Sequence, residues 1–531
     1  MKMNYTIFLL IFFFNDFFSQ VPKQLDWFFG DSGKVEIDID ENDYLSSIEA
    51  IDSVIYFSGY TGHYDDTILN YDAIIGRLDY QGNLDSTFND SGYIRFDFPG
   101  DNHSSITDMD VGDSGIYFIG NSLDYGVQDT LHLFVGKIDF SGRVDTSFAE
   151  SGFFTPNLGR YDVGNVISVA SNEQVVFCGT SENKISLTDH PLMARLHYNG
   201  TLDTTFGTTG IRIWDSNGEL ADSLTSTLIA KHGSGGYLTD MVEIDDNYFF
   251  SGYYRPGSNN MCLMIMVKKN GDINLNYAGL GYRVFELSPN NDNAIVSNYY
   301  ANDTLYSLIN VVGTGYGNVT LFAQDTLGTQ LDVTSFSLPD WILESTDMAW
   351  SPNGDIAVSS YAINDSLSAS VDSDGFFIIN INSQGVHDAN YNNDGFFLEE
   401  FDSEESGIED LCFSNGTLFG GGFVRKMVSG NEFDFCFMKL INNPSVGIPD
   451  ASQTGIIMYP NPVSDILRIE SSESNLFTFQ LFNVAGERVS QNKVMSDSFE
   501  LNVSEIPKGI YVITIKHLST GIIESQKIII E

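Results

Sequence analysis

Apolar residues along this chain gather in short runs, and polar turn-forming residues separate them. One stretch reads Tyr93-Ile-Arg-Phe-Asp-Phe98, then Ile106-Thr-Asp-Met-Asp-Val111, then Gly115-Ile-Tyr-Phe-Ile-Gly120, then Leu133-Phe-Val-Gly-Lys-Ile-Asp139. Runs of roughly four to six β-branched and aromatic residues, bounded by Gly, Asn and Asp, predict strands. Beyond the first twenty residues, no stretch of ten or more shows a convincing amphipathic 3.6 period. The pattern predicts an all-β chain.

The runs recur with a phrase between them: an apolar residue, Asp or Asn, two small residues, an aromatic, then Gly four residues on. Clear copies are Leu84-Asp85-Ser-Thr-Phe88…Gly92, Val144-Asp145-Thr-Ser-Phe148…Gly152 and Leu202-Asp203-Thr-Thr-Phe206…Gly210. Weaker ones begin at Leu25-Asp26, Ile273-Asn274 and His387-Asp388, and a degenerate copy without the Gly reads Leu331-Asp332-Val-Thr-Ser-Phe336. The Asp or Asn markers at 26, 85, 145, 203, 274, 332 and 388 are 59, 60, 58, 71, 58 and 56 residues apart. A fixed period signals a repeat architecture. Four strands per unit and seven units predict a seven-bladed β-propeller over residues 21–441. Stacking also explains why runs such as Val54-Ile-Tyr-Phe-Ser-Gly59 and Ala73-Ile-Ile-Gly-Arg-Leu78 are almost wholly apolar, since inner strands are covered on both faces. Gly200-Thr-Leu-Asp-Thr-Thr-Phe-Gly207-Thr-Thr-Gly210 closely resembles the delta-60 repeat. That resemblance, over roughly residues 24–441, implies a propeller and says little about ligand.

A ring of seven repeated carboxylates could hold cations. An Asp followed by Ser or Thr more commonly closes an Asx turn on its own backbone. The following Phe is then expected to fill the gap between neighbouring sheets. Recurrence in every unit favours this architectural duty.

The chain carries 72 Asp and Glu against 25 Lys and Arg, a formal charge of −47. This excludes nucleic acid as an expected partner, because phosphate binding needs cationic side chains. Two acidic segments are the best local candidates for a cation, Asp38-Ile-Asp40-Glu-Asn42-Asp43 and Asp372-Ser-Asp374-Gly375. Neither has the full ligand set of an EF-hand loop, so no metal site and no cofactor is expected. Cys178, Cys262, Cys412 and Cys436 all lie in strand-like runs and read as buried thiols. Cys412 and Cys436 would be separated by an intervening strand of one sheet.

Met1-Lys2-Met3 followed by the apolar Tyr5–Phe14 reads as a signal peptide over residues 1–20, too short for a membrane span. At the other end, residues 442–455 form a Pro/Gly/Ser linker, and residues 456–531 alternate in short strands as in a small Ig-like β-sandwich. Tyr459-Pro-Asn-Pro462, Asn483…Gly486, Pro507-Lys-Gly509-Ile-Tyr511 and Lys527 closely resemble the C-terminal sorting domain of the type IX (Por) secretion system of Bacteroidota. The resemblance implies delivery through the periplasm and the type IX translocon, which would engage residues 456–531. The protein would then be secreted or anchored on the outer cell surface.

Nothing in the linear sequence assembles a catalytic constellation. The eight His are scattered, His232-Gly-Ser-Gly-Gly236 lacks the first Gly of a nucleophile elbow, and the carboxylates are too numerous to rank for glycoside chemistry. The longest unit has its excess between Trp214 and Tyr237, where Trp214, His232 and Ser234 are the candidate ligand contacts. The expectation is therefore a monomeric, non-catalytic propeller that binds a glycan or protein. An exported hydrolase or lyase with a site at the propeller axis is the alternative.

Overall fold

The computed structural model describes residues 24–530 except 214–234, 365–374, 442–455 and shorter segments between strands. The predicted signal peptide and linker lie outside the described residues. The chain divides into two compact units, Met1–Asn443 and Pro444–Glu531. Both are built from β-strands, and the described residues contain a single short 3-10 turn, Tyr277–Gly279.

The first unit is a β-propeller. Among the described residues its strands pair antiparallel in groups of four, each from an innermost strand outward to a short fourth strand; four groups are separate sheets and the rest join in one thirteen-stranded sheet. In the third blade these are Asp162–Val169, Val175–Glu182, Asp189–Leu196 and Ile211–Ile213. The innermost strands are Asn42–Ile51, His103–Gly112, Asp162–Val169, Gly236–Ile244, Asp292–Ala301, Trp341–Trp350 and Glu405–Ser414. Each lies against the next, and the seventh lies against the first, so the ring is closed.

Sequence unit and blade are offset by one strand. The first run after each phrase pairs with the last run of the preceding unit, as Tyr93–Phe96 does with Ile68–Asp79. Consequently Lys34–Ile37, near the start of the described chain, completes the last blade by pairing with Glu432–Ile441. Asp26 and Lys439 lock this closure with an ion pair of 2.8 Å, both side chains nearly fully buried.

The repeated phrase is the turn between the third and fourth strands. In each clear copy Asp Oδ1 accepts the N–H two residues on, Thr87, Ser147 or Thr205, the Asx turn expected. The other carboxylate oxygen meets a cation from the third strand of the same blade: Arg77 with Asp85, Lys137 with Asp145, Arg195 with Asp203. The aromatics Phe29, Phe88, Phe148, Phe206 and Tyr277 are fully buried. Each plugs the core between its own blade and the next, as Phe88 does among Tyr56, Ile75, Ile106 and Phe118. The degenerate copy is an exception. Leu331-Asp332…Phe336 is no turn but the fourth strand of its blade, Gln330–Phe336, paired with Tyr316–Gln324. A tight Asp325–Thr329 hairpin replaces the missing phrase, although Phe336 still reaches the interblade core.

The second unit is a β-sandwich of a three-stranded and a four-stranded antiparallel sheet. Leu467, Ile469, Phe479, Leu481, Ile513 and Ile528 fill the space between them. The four cysteines are unpaired thiols, with Cys178, Cys262 and Cys436 buried and Cys412 partly so.

Candidate active site at the propeller axis

Each innermost strand carries a register shift at an equivalent place, for example between Ile106 and Asp108, Leu238 and Asp240, Ser345 and Met348, and Ile408 and Asp410. An extra residue in one strand re-aims the side chains beside it. Three of these bulges hold the same tripeptide, Thr107-Asp108-Met109, Thr239-Asp240-Met241 and Thr346-Asp347-Met348. The Thr hydroxyl donates to a carbonyl of the next blade: Gly164 at 2.9 Å, Ile295 at 2.6 Å and Ile408 at 2.9 Å. The Asp accepts an N–H of the next blade: Ile167 at 2.8 Å, Asn298 at 2.5 Å and Leu411 at 3.2 Å. Asp410 repeats this across the ring closure, accepting Ile48 N–H at 2.7 Å. Thr and Asp thus latch one blade to the next and draw a set of carboxyls to the axis.

Asp108, Asp240 and Asp410, with Glu49 and Asp110, line an axial cavity of about 270 Å³. Its lining comes from the inner strands of the first, second, third, fourth and seventh blades and contains no Lys, Arg or His. Burial dominates the ionisation of every group. It pushes Asp240 up to about 7 against the bonds from Met241 and Asn298, and it raises Asp108 well above the carboxylate range. Asp347 and Asp410, close enough to influence one another, are both raised, chiefly by burial.

Glu49 differs from the latching aspartates. Burial, reinforced by the charge of Asp110, lifts it to about 8, and no partner among the described residues holds its carboxyl. Asp110 is also raised by burial, but the N–H groups of Val169 (2.6 Å) and Val111 oppose that shift. One carboxyl kept neutral beside another whose anion is hydrogen-bonded is an acid–base arrangement.

At the ring closure Asp38, Asp43 and Asp434 place carboxylate oxygens within 4.8 Å of one another. The first acidic segment singled out from sequence therefore does converge in part. The ammonium of Lys426 already pairs with one member of the group, Asp434, at 2.6 Å, and with Glu36 at 2.8 Å. Asp40 instead pairs with Arg95 at 3.1 Å. Of the second segment, Asp372-Ser-Asp374 lies outside the described residues, as do the expected contacts Trp214, His232 and Ser234. The axial carboxyls were missed because each is unremarkable alone. The recurrent Thr-Asp-Met at 107–109, 239–241 and 346–348 was the available signal.

Residues 457–531 match the secretion system C-terminal sorting domain. The match indicates export to the cell surface or beyond and engagement of the secretion machinery by this tail. Among curated proteins, none matches the sequence. Solved structures resemble the fold at low identity. They include the phage phi92 endosialidase (10% identity, TM-score 0.39, 94% of this chain and 87% of that one). Polysaccharide lyase Uly1 matches at 9% identity and TM-score 0.43, over 78% and 93% of the two chains. A PL25 ulvan lyase matches at 6% identity and TM-score 0.34, over 68% and 88%. Most of these similar structures carry the names of enzymes, which runs against the expectation of a non-enzyme. That expectation rested on scattered His and unrankable carboxylates, whereas the fold gathers carboxyls from four blades around one cavity.

Proposed function

We propose that this chain is an exported glycan-degrading enzyme whose acid–base groups line the axial cavity. The observation that carries the reading is the cavity that Glu49 shares with Asp110, where burial pushes the Glu49 carboxyl up to about 8. Protonated at neutral pH, Glu49 is suited to donate its proton to the oxygen of a glycosidic bond as that bond breaks. Asp110, raised by burial against the N–H groups of Val169 and Val111, is suited in its ionised form to activate water or to stabilise the developing positive charge at the sugar carbon. The acidic lining favours hydrolysis of a neutral or amino-sugar polymer over elimination from a uronate, whose own carboxylate would meet like charges.

Release of reducing ends from a polysaccharide panel by the full-length protein tests the proposal. Glu49→Gln is expected to lower turnover about 10²- to 10⁴-fold without lowering the melting temperature. No turnover on any neutral or amino-sugar polymer, or an unimpaired Glu49→Gln, would refute it. Appearance of unsaturated products absorbing in the ultraviolet would instead assign a lyase.

A further inference from the structure

We propose that a second cavity, built by the first hairpin turns of three consecutive blades, binds a neutral or cationic sugar ring of a polysaccharide. The choice of ligand class rests on the glycan reading above; the site itself stands on separate residues. The cavity measures about 390 Å³ and is walled by Tyr299, Trp350 and Phe413, with Asn302 and Asn415 among its polar groups. Small-molecule sites have this make-up, aromatic walls with a few placed polar groups, at volumes of roughly 300–1,000 Å³.

Trp350 is held in place before any ligand arrives. Tyr299 of the preceding blade stacks on it with centroids 4.5 Å apart and planes 7° from parallel, and Tyr306 lies 4.8 Å away. A side chain already fixed loses little freedom on binding. An indole so oriented offers a flat apolar surface to the C–H face of a pyranose. Asn302 and Asn415 sit in hairpin turns with φ of 51° each, a left-handed conformation that Asn tolerates. Each amide brings both a donor and an acceptor for sugar hydroxyls. Asp303, adjacent to Asn302, adds to the general acidic excess and disfavours anionic sugars. Phe413 walls this cavity while its neighbour Cys412 lines the axial one.

Calorimetry and tryptophan fluorescence on the full-length protein test the site with cellohexaose, chitohexaose, xylohexaose and mannohexaose, and with hexagalacturonate as the anionic arm. At least one neutral or cationic oligosaccharide is expected to bind. Trp350→Ala should weaken that binding at least about tenfold, the loss of one good aromatic contact. Asn415→Gly, which suits the same left-handed turn and removes the amide, should weaken it too, and it decides the matter if Trp350→Ala fails to fold. Binding that survives both changes, binding of hexagalacturonate alone, or no binding at all overturns the inference. The two readings separate cleanly. Trp350-dependent binding without turnover refutes the axial reaction and supports this site, whereas Glu49-dependent turnover with binding indifferent to Trp350 and Asn415 does the reverse.

Discussion

Asp203 offers the sharpest test of what the repeated Asp does. Its side chain is 1% exposed. It accepts Arg195 through Nη2 at 2.8 Å and Nε at 2.9 Å, Gln174 Nε2 at 2.7 Å, and Thr205 through N–H at 3.0 Å and Oγ1 at 2.6 Å. The Arg195 guanidinium is itself buried and lies 5.2 Å from the Phe206 ring centroid. Asp203→Ala therefore strands a buried cation, which costs about 3–5 kcal/mol. The exposed pair Arg468–Glu500, with side chains 55% and 56% open, should contribute only about 0–1 kcal/mol to its own unit. Guanidinium denaturation of wild type, Asp203→Ala, Arg195→Met and Asp203→Ala/Arg195→Met measures the difference. The double variant should recover part of the loss, because it leaves no orphaned charge. A single-variant cost below about 1 kcal/mol, or a double variant as poor as the sum of the singles, would refute the structural assignment. Burial opposes ionisation of Asp203, yet the Thr205 and Arg195 bonds outweigh it and hold its carboxyl low. Its stabilisation is present above the ordinary carboxylate range and is lost only as pH falls below it.

The axial and closure carboxyls have the opposite sign. Asp43 and Asp240 are raised to about 7 and Glu49 to about 8, chiefly by burial, so between about pH 4 and 8 the folded chain holds protons that the unfolded chain has released. Stability should rise as pH falls from 8 to 5, read as a higher denaturation midpoint at pH 5; a lower one would contradict the assignment. Removing residues 1–40 should deprive the last blade of its outer strand and of the Asp26–Lys439 lock. Hydrogen exchange in Glu432–Ile441 should then accelerate strongly, and unchanged protection would show that the ring does not close through this strand.

Much of the architecture could be read from the one-dimensional pattern. Strand runs, the repeating turn, the interblade aromatics and the separate tail all depend on residues close in sequence, and close neighbours leave a periodic trace. The offset between unit and blade left none, because pairing partners for Lys34–Ile37 lie some four hundred residues away. The degenerate copy misled for a related reason: Leu331–Phe336 has the letters of the phrase, but without its Gly the chain extends into a strand.

By itself, the sequence determined the all-β repeat and the sorting tail, since turn chemistry, apolar runs and ordered motifs act locally. Tertiary structure alone decided which of 72 acidic residues matter together. Bulges in separate blades aim Asp108, Asp240 and Asp410 toward one cavity, and burial among them sets Glu49 apart. Desolvation and charge coupling fall off over a few ångströms of space, and adjacency through space is what a ring of blades creates between residues remote along the chain.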